Sequence, residues 1–328
     1  SVSEFFNMTS QRIFRHIAFD QRIEQVGATT ANGFLIIECA RAAILYEAKF
    51  PDGGAEHISL LSDSNVVAVS GDDSAGGFSR TNVILWDRDY DKVIRLFDVE
   101  SPVIGLTLRA DALVIVHGEN ITFYNTCDFT KYCVLPNPTM SMNCISLVQS
   151  VNANLVSYPS PDKSCLNICD YHDPEYVLGT INVPAQSIEC VEFSRQGELI
   201  AIVIEEGKTI LLYSLSPKIQ VIAVYRRGFR ATEVTGITFD NLSNFFLLTS
   251  KRETLHVFSV PPANQKLSSE TRKSQFTYEL PKNCEIQCQF DFAGYMIIGV
   301  TSSGILKQIR IDIEKNAIIP VSENQIVI

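Results

Sequence analysis

Residues 191–215 read VEFSRQGELIAIVIEEGKTILLYSL. A short apolar run ends in Phe-Ser, a polar turn follows, then a very apolar run, a Glu-Glu-Gly turn, and a third run that closes on an aromatic residue. The same order returns at 237–260, ITFDNLSNFFLLTSKRETLHVFSV, and at 16–20 and 25–39, HIAFD and QVGATTANGFLIIEC. Runs of this length, rich in Val, Ile, Leu, Phe and Tyr and bounded by Gly, Asn, Asp or Ser, are strand signals. Working outward, further runs at 65–69, 82–86, 92–97, 103–108, 113–117 and 120–124 keep a spacing of about 8 to 12 residues. No segment carries an i, i+3, i+4, i+7 apolar stripe with capping residues at both ends, so the chain reads as all-β.

The strands group in fours with a period of roughly 40 to 50 residues, the spacing of propeller blades. The stretch VILWD at 83–87 resembles the WD-repeat signature. Seven units start near residues 12, 55, 98, 141, 184, 226 and 283. The expectation is a seven-bladed β-propeller of WD-repeat type, four antiparallel strands per blade, forming one domain over 1–328, because a blade buries its faces only against its neighbours.

Composition agrees with a folded chain and removes several function classes. The 328 residues hold 27 basic and 37 acidic side chains, a net charge of −10, with 46% hydrophobic residues. That excludes a disordered acidic tail and argues against nucleic-acid binding, which needs a basic surplus. The longest apolar candidate, 34–48, is interrupted by Glu38, Arg41 and Glu47, and the first ten residues lack a basic region followed by an apolar core. A soluble, cytoplasmic protein without a secretory signal is expected. Nine cysteines, an odd number scattered along the chain, read as reduced thiols. Cys165 and Cys169 near His172, and Cys284 with Cys288, are spaced C-x3-C in strand-like sequence without a partner pair, so no metal and no cofactor is expected. The Gly-rich loop at 70–81 lacks the order of a phosphate-binding loop, and the histidines at 16, 57, 117, 172 and 256 fall in five different blades. No enzyme is expected. The remaining route to catalysis, carboxylates converging in the central channel, would announce itself by strongly raised acid pKa values.

Charge is unevenly spread. Residues 226–282 contain nine Lys or Arg and five acids, a surplus of +4, which leaves −14 on the rest. Such a basic edge would orient the molecule toward an anion or an anionic surface. Tyr225-Arg226-Arg227-Gly228 ends the outer strand of blade five. Side chains alternate along a strand, so Arg226 and Arg227 should face opposite sides. In Ser250-Lys251-Arg252-Glu253-Thr254-Leu255-His256, Thr254 and His256 share one face. Hydroxyls, an imidazole and guanidinium forks are the donors a phosphomonoester takes.

These residues resemble the PROPPIN family, seven-bladed propellers that bind polyphosphoinositides and include the WIPI proteins of autophagy. Tyr225-Arg226-Arg227-Gly228 is similar to the family's F/L-R-R-G signature, with Tyr in the first place. The likeness extends through GATTANGFLII, NVVAVSG, NVILWD, SPVIGLTLRADALVIVHGENITFYN and NLVSYPSPDKSCLNICD, and the stretch 57–125 looks most like the shorter, WIPI3- and WIPI4-like branch. The resemblance implies two headgroup pockets flanking the double arginine. The second is matched by Arg227, Thr235, Ser250, Arg252 or Lys251, Thr254 and His256. In the first, Ile202, Val203 and Ile204 stand where hydroxyls belong, and Leu211 or Leu212 stands where an arginine belongs. Glu205 and Glu206 lie nearby, which leaves Arg226 and Thr209. Carboxylates repel phosphate, so that pocket is expected to be weakened or lost.

By resemblance, the chain would be a monomeric effector of phosphatidylinositol 3-phosphate, and of the 3,5-bisphosphate, at autophagic, endosomal or vacuolar membranes. It would present a lipid-transfer protein of the autophagy machinery with a surface on blades two and three. The loop at 261–274, with Lys266, Leu267, Arg272 and Lys273 and with Phe276 beyond it, would add weak membrane contact. The alternative is a protein-interaction propeller that has lost lipid binding.

Overall fold

The Phe-Asp and Phe-Ser steps that recur in the sequence each close a hairpin. Asp20, Ser194, Asp240 and Asp291 each follow the last residue of a strand. The side-chain oxygen of each accepts the N–H of the residue five further on, where the next strand begins. Gln25 donates at 3.0 Å, Leu199 at 3.0 Å, Phe245 at 2.6 Å and Met296 at 3.0 Å. A strand-opening N–H that would otherwise lack a partner is satisfied, and the turn length is set.

This computed structural model describes residues 13–51, 53–74, 78–148, 150, 153–161, 163, 165–184, 188–252, 254–262, 270–280 and 285–327. Blade one is β1 Ile17–Phe19, β2 Gln25–Thr30, β3 Gly33–Glu38 and β4 Ala43–Lys49; blade two is β5 Ala55–Leu60, β6 Val66–Gly71, β7 Asn82–Asp87 and β8 Lys92–Asp98. Blade three is β9 Val103–Leu108, β10 Ala112–His117, β11 Asn120–Asn125 and β12 Lys131–Pro136; blade four is β13 Ser146–Leu147, β14 Leu155–Pro159, β15 Cys165–Asp170 and β16 Asp173–Asn182. Blade five is β17 Ile188–Phe193, β18 Leu199–Ile204, β19 Thr209–Ser214 and β20 Gln220–Arg226. Blade six is β21 Val234–Phe239, β22 Phe245–Ser250, β23 Thr254–Ser259 and β25 Phe276–Glu279; blade seven is β26 Ile286–Phe290, β27 Met296–Thr301, β28 Ile305–Asp312 and β29 Ala317–Gln325. Within every blade the strands are antiparallel neighbours in chain order. The two-residue strand β24, Arg272–Lys273, leaves blade six and pairs in parallel with Tyr225–Arg226 of β20.

Inner and middle strands meet a neighbouring blade on both faces, which is why β10 (ALVIVH) and β22 (FFLLTS) are buried along their whole length. Seven apolar clusters fill the seven junctions. Ile36 and Val69 join blades one and two. Tyr225, Phe246 and Phe258 join five and six, with ring centroids 4.9 to 5.4 Å apart. Val300 and Leu306 pack on Ile37 and Val26, so side-chain packing closes blade seven onto blade one. Among the described residues helical structure is confined to short 3-10 turns such as Met142–Cys144.

One expectation about loops changes. Phe276 is not loop material for a membrane: it lies in β25 and is buried against Phe245, because the fourth strand of blade six starts earlier than the polar sequence implies. In the loop at 70–81, Asp72 is buried and gathers Ser74, the Gly54 N–H and Arg15. Residues 75–77, Lys266 and Leu267 lie outside the described residues.

Candidate functional site

Strand β20 delivers the double arginine. Tyr225 anchors it: the ring is fully buried between Phe246 and Phe258, and its hydroxyl donates to the Ser259 carbonyl at 2.8 Å. The two arginines then part, as alternation requires. Arg226 is exposed, with its guanidinium carbon 5.2 Å from the Phe229 ring centre. Arg227 turns inward, donating Nε to the Gly207 carbonyl and a terminal nitrogen to the Arg230 carbonyl. Carbonyls orient a guanidinium without cancelling its charge. Burial, and then the Arg252 charge, push the Arg227 pKa below its ordinary value, while Glu189 acts in the other direction.

The β22–β23 hairpin brings the second half. Ser250 is buried at the end of β22, and Thr254 and His256 share one face of β23. Thr254 Oγ1 donates to the Arg252 carbonyl at 3.2 Å. The His256 ring lies over Phe258, with Nδ1 3.4 Å from Ser274 Oγ. Burial first, and the Arg227 charge second, lower its pKa to about 4, so the imidazole is neutral at pH 7. Arg227 thus feels Arg252 and is felt by His256, and among the described residues none of the three is ion-paired with a carboxylate. An anion placed there would relieve the repulsion between the two guanidinium groups and collect charge-assisted hydrogen bonds. Ser274, absent from the sequence-derived set, arrives because β24 brings its loop back to blade five.

The remaining sequence-derived residues stand differently. Lys251 is exposed and paired with Glu233 at 2.6 Å, which raises its pKa. Thr235, on the inner strand β21, donates to Thr249 Oγ1 at 3.0 Å and lines the central channel with Gln287 and Gln289. The structure therefore groups Arg227, Ser250, Arg252, Thr254 and His256, and sets Lys251 and Thr235 to either side.

On the Arg226 side, Ile202, Val203, Ile204, Leu211 and Leu212 are all buried core. The turn between β18 and β19 places Glu205 and Glu206 at φ of +57° and +56°. Glu205 takes the Thr209 hydroxyl at 2.6 Å and Glu206 takes Lys208 at 2.7 Å. What this side gains instead is β24, which sets Arg272 and Lys273 beside Tyr225 and Arg226.

The channel holds a cavity of about 300 Å³ walled partly by Glu192, Arg109 and Asp20. Burial pushes the Glu192 pKa up to about 8, with the Ser146 hydroxyl at 3.0 Å opposing the shift. This is the raised acid that channel chemistry would show, but a carboxyl protonated at neutral pH is a poor base for activating Ser146. Ser146 Oγ also accepts the Phe193 N–H. Arg109 is spent on the Val148 and Ser150 carbonyls, and Asp20 on Gln25 and Ser62. Cys169 is buried beside Tyr158, and His172 bridges Asp170 and Asp111. Cys284 lies outside the described residues, among which no three metal-ligating side chains gather. No helix among them is long and apolar enough to cross a membrane.

No protein-family model matches the chain. Its sequence is 23% identical over 262 residues to SVP1-like protein 2 of Schizosaccharomyces pombe, covering 77% of this chain and 70% of that protein. It is 24% identical over 295 residues to Autophagy-related protein 18 of Yarrowia lipolytica, covering 79% and 72%. Among solved structures, Hsv2 of Kluyveromyces lactis aligns with a TM-score of 0.79 at 16% identity over 97% of this chain and all of that one. KlAtg21, solved with the coiled coil of AgAtg16, aligns with a TM-score of 0.82 at 14% identity over 96% of this chain and 100% of that one. At these identities the structural likeness carries the fold alone. The relatives do not single out one branch.

Proposed function

The chain is a seven-bladed propeller of the PROPPIN type, and on that premise we propose that it is a non-enzymatic phosphoinositide effector acting in autophagy, with its headgroup site on the Arg227 side of the double arginine. The observation that carries this reading is the convergence of Arg227, Arg252 and His256 without a carboxylate partner among the described residues. A phosphomonoester supplies the missing counter-charge, and Ser250 and Thr254 stand on the same hairpin to complete its coordination. Phosphatidylinositol 3-phosphate and the 3,5-bisphosphate are the expected ligands, on autophagic, endosomal or vacuolar membranes. With Glu205 and Glu206 on the other side, a single specific contact works with general attraction from Arg226, Arg272 and Lys273, about 1 kcal/mol for each well-placed basic residue. Vesicle flotation tests it. Vesicles carrying phosphatidylinositol 3-phosphate should float the parent and not Arg227→Ala, and equal flotation of the two sinks the reading.

A protein-binding role has its own support. Tyr90, Val93, Ile94 and Leu96 on and beside β8, and Tyr132 and Val134 on β12, are exposed apolar side chains on outer strands of blades two and three. That perimeter is where we place the partner, an autophagy lipid-transfer protein. A pulldown in which Leu96→Asp retains the partner as well as the parent does would refute the placement.

A further inference from the structure

Phe229 stands out on the surface. It is 84% exposed, the highest value among the large apolar side chains of the described residues. It sits two residues after Arg227, in the turn between β20 and β21. This turn is pinned rather than loose. The Arg227 guanidinium holds the Arg230 carbonyl, the Thr232 N–H donates to the Glu206 carbonyl at 3.0 Å, and the Arg227 N–H donates to the Lys208 carbonyl at 2.9 Å. Folding therefore spends ordering entropy to present a phenyl ring to water, with little burial in return.

The surroundings name the occupant. Arg226 lies against the ring, Arg230 is its exposed neighbour, and Lys273 is set beside Arg226 by the parallel β20–β24 pairing. An apolar ring flanked by Arg226 and Arg230, with Lys273 next to Arg226, on the basic edge of an acidic chain, matches an anionic lipid surface. There the guanidinium and ammonium groups stay among phosphates while the ring enters the boundary below them. An acidic protein groove would satisfy the cations but offers no reason for a ring projecting this far.

Resting on the headgroup reading above, we propose that Phe229 is an interfacial anchor that inserts beside the Arg227 site. The site reads the headgroup, and the ring supplies apolar attachment that a soluble headgroup cannot report.

The test uses two probes: vesicles of neutral and anionic phospholipid with phosphatidylinositol 3-phosphate, and a water-soluble short-chain form of the same lipid measured by calorimetry. Phe229→Ala should weaken vesicle binding about tenfold, the worth of an incompletely buried phenyl ring, and leave short-chain affinity unchanged. Phe229→Trp should retain vesicle binding, and its emission should be quenched by lipids brominated near the headgroup, above the baseline from the natural Trp86. Equal vesicle binding by the parent and Phe229→Ala, or no added quenching of Phe229→Trp, overturns the anchor while leaving the headgroup site standing. A matching loss of short-chain affinity in Phe229→Ala also overturns it, since the ring would then serve the pocket. So does a concentration-dependent dimer that Phe229→Ala abolishes, because the ring would then be covered by a second copy. If the parent binds neither probe, both readings fall together.

Discussion

The two flanks of Arg226–Arg227 are built from neighbouring hairpins of similar length, yet they differ in electrostatic character. On the Arg227 flank, the β22–β23 hairpin carries Ser250, Arg252, Thr254 and His256, and the guanidinium is held by the Arg230 carbonyl and by the Gly207 carbonyl of the β18–β19 turn. On the Arg226 flank, β18 and β19 bring Ile204, Glu205, Glu206 and Thr209, and the hydroxyl of Thr209 is already given to Glu205. Neither arginine is ion-paired with a carboxylate among the described residues, so the difference teaches that company decides: only on the Arg227 side do a second guanidinium, an imidazole and the hydroxyl groups of one hairpin gather around the first. Position on the strand supplies two candidates, and the partner hairpin decides between them.

The largest expected effect, and the most direct way to break this asymmetry, is Arg227→Ala. Removing two charge-assisted hydrogen bonds to a headgroup should lower vesicle affinity about a hundredfold. A thermal melt guards against confusing this with unfolding, since the Gly207 and Arg230 carbonyls also lose a donor. Next comes His256→Ala, with a loss of about tenfold on the same scale. His256 also gives the asymmetry a pH signature. With a pKa near 4 it is neutral in the free protein at pH 7, and a bound phosphate favours its charged form. Binding then takes up a proton at His256, so relative to His256→Ala, whose slope reports the headgroup phosphate's own titration at about pH 6, the parent's affinity measured by calorimetry should gain as pH falls from 7 toward 5. Arg226→Ala should cost only about threefold, and mostly at low salt, because its contribution is long-range attraction. A loss as large as that of Arg227→Ala would show that both flanks bind. The smallest effect is a gain: Glu205→Gln with Glu206→Gln removes repulsion near Arg226 and should tighten anionic vesicles by about twofold. No change there would mean these carboxylates are too well screened to matter.

How far this is legible in the sequence depends on the range of the interaction. The Phe-Asp and Phe-Ser steps mark hairpins because the bond they make spans five residues, as Asp240 to Phe245 shows. Thr254 and His256 share a face because a strand alternates. The pairing of β24 with β20 has no such local sign: two residues in parallel register with a segment nearly fifty positions earlier leave no period to read. Ser274 and Lys273 reach the rim only through that pairing. Phe276 reads as loop for a related reason, since its polar flank hides the start of β25. Thr235 sits on the inner strand, where the side-chain direction toward the channel depends on how seven blades close.

Alternation, turn residues and period, all carried within a few tens of residues, were enough by themselves to determine an all-β chain of repeating four-strand blades with two arginines pointing apart. Which cations stand together unneutralised was decided only in three dimensions. Coulomb interactions follow distance through the folded molecule, and the distances from Arg227 to Arg252, His256 and Glu189 are set by blades packing on one another.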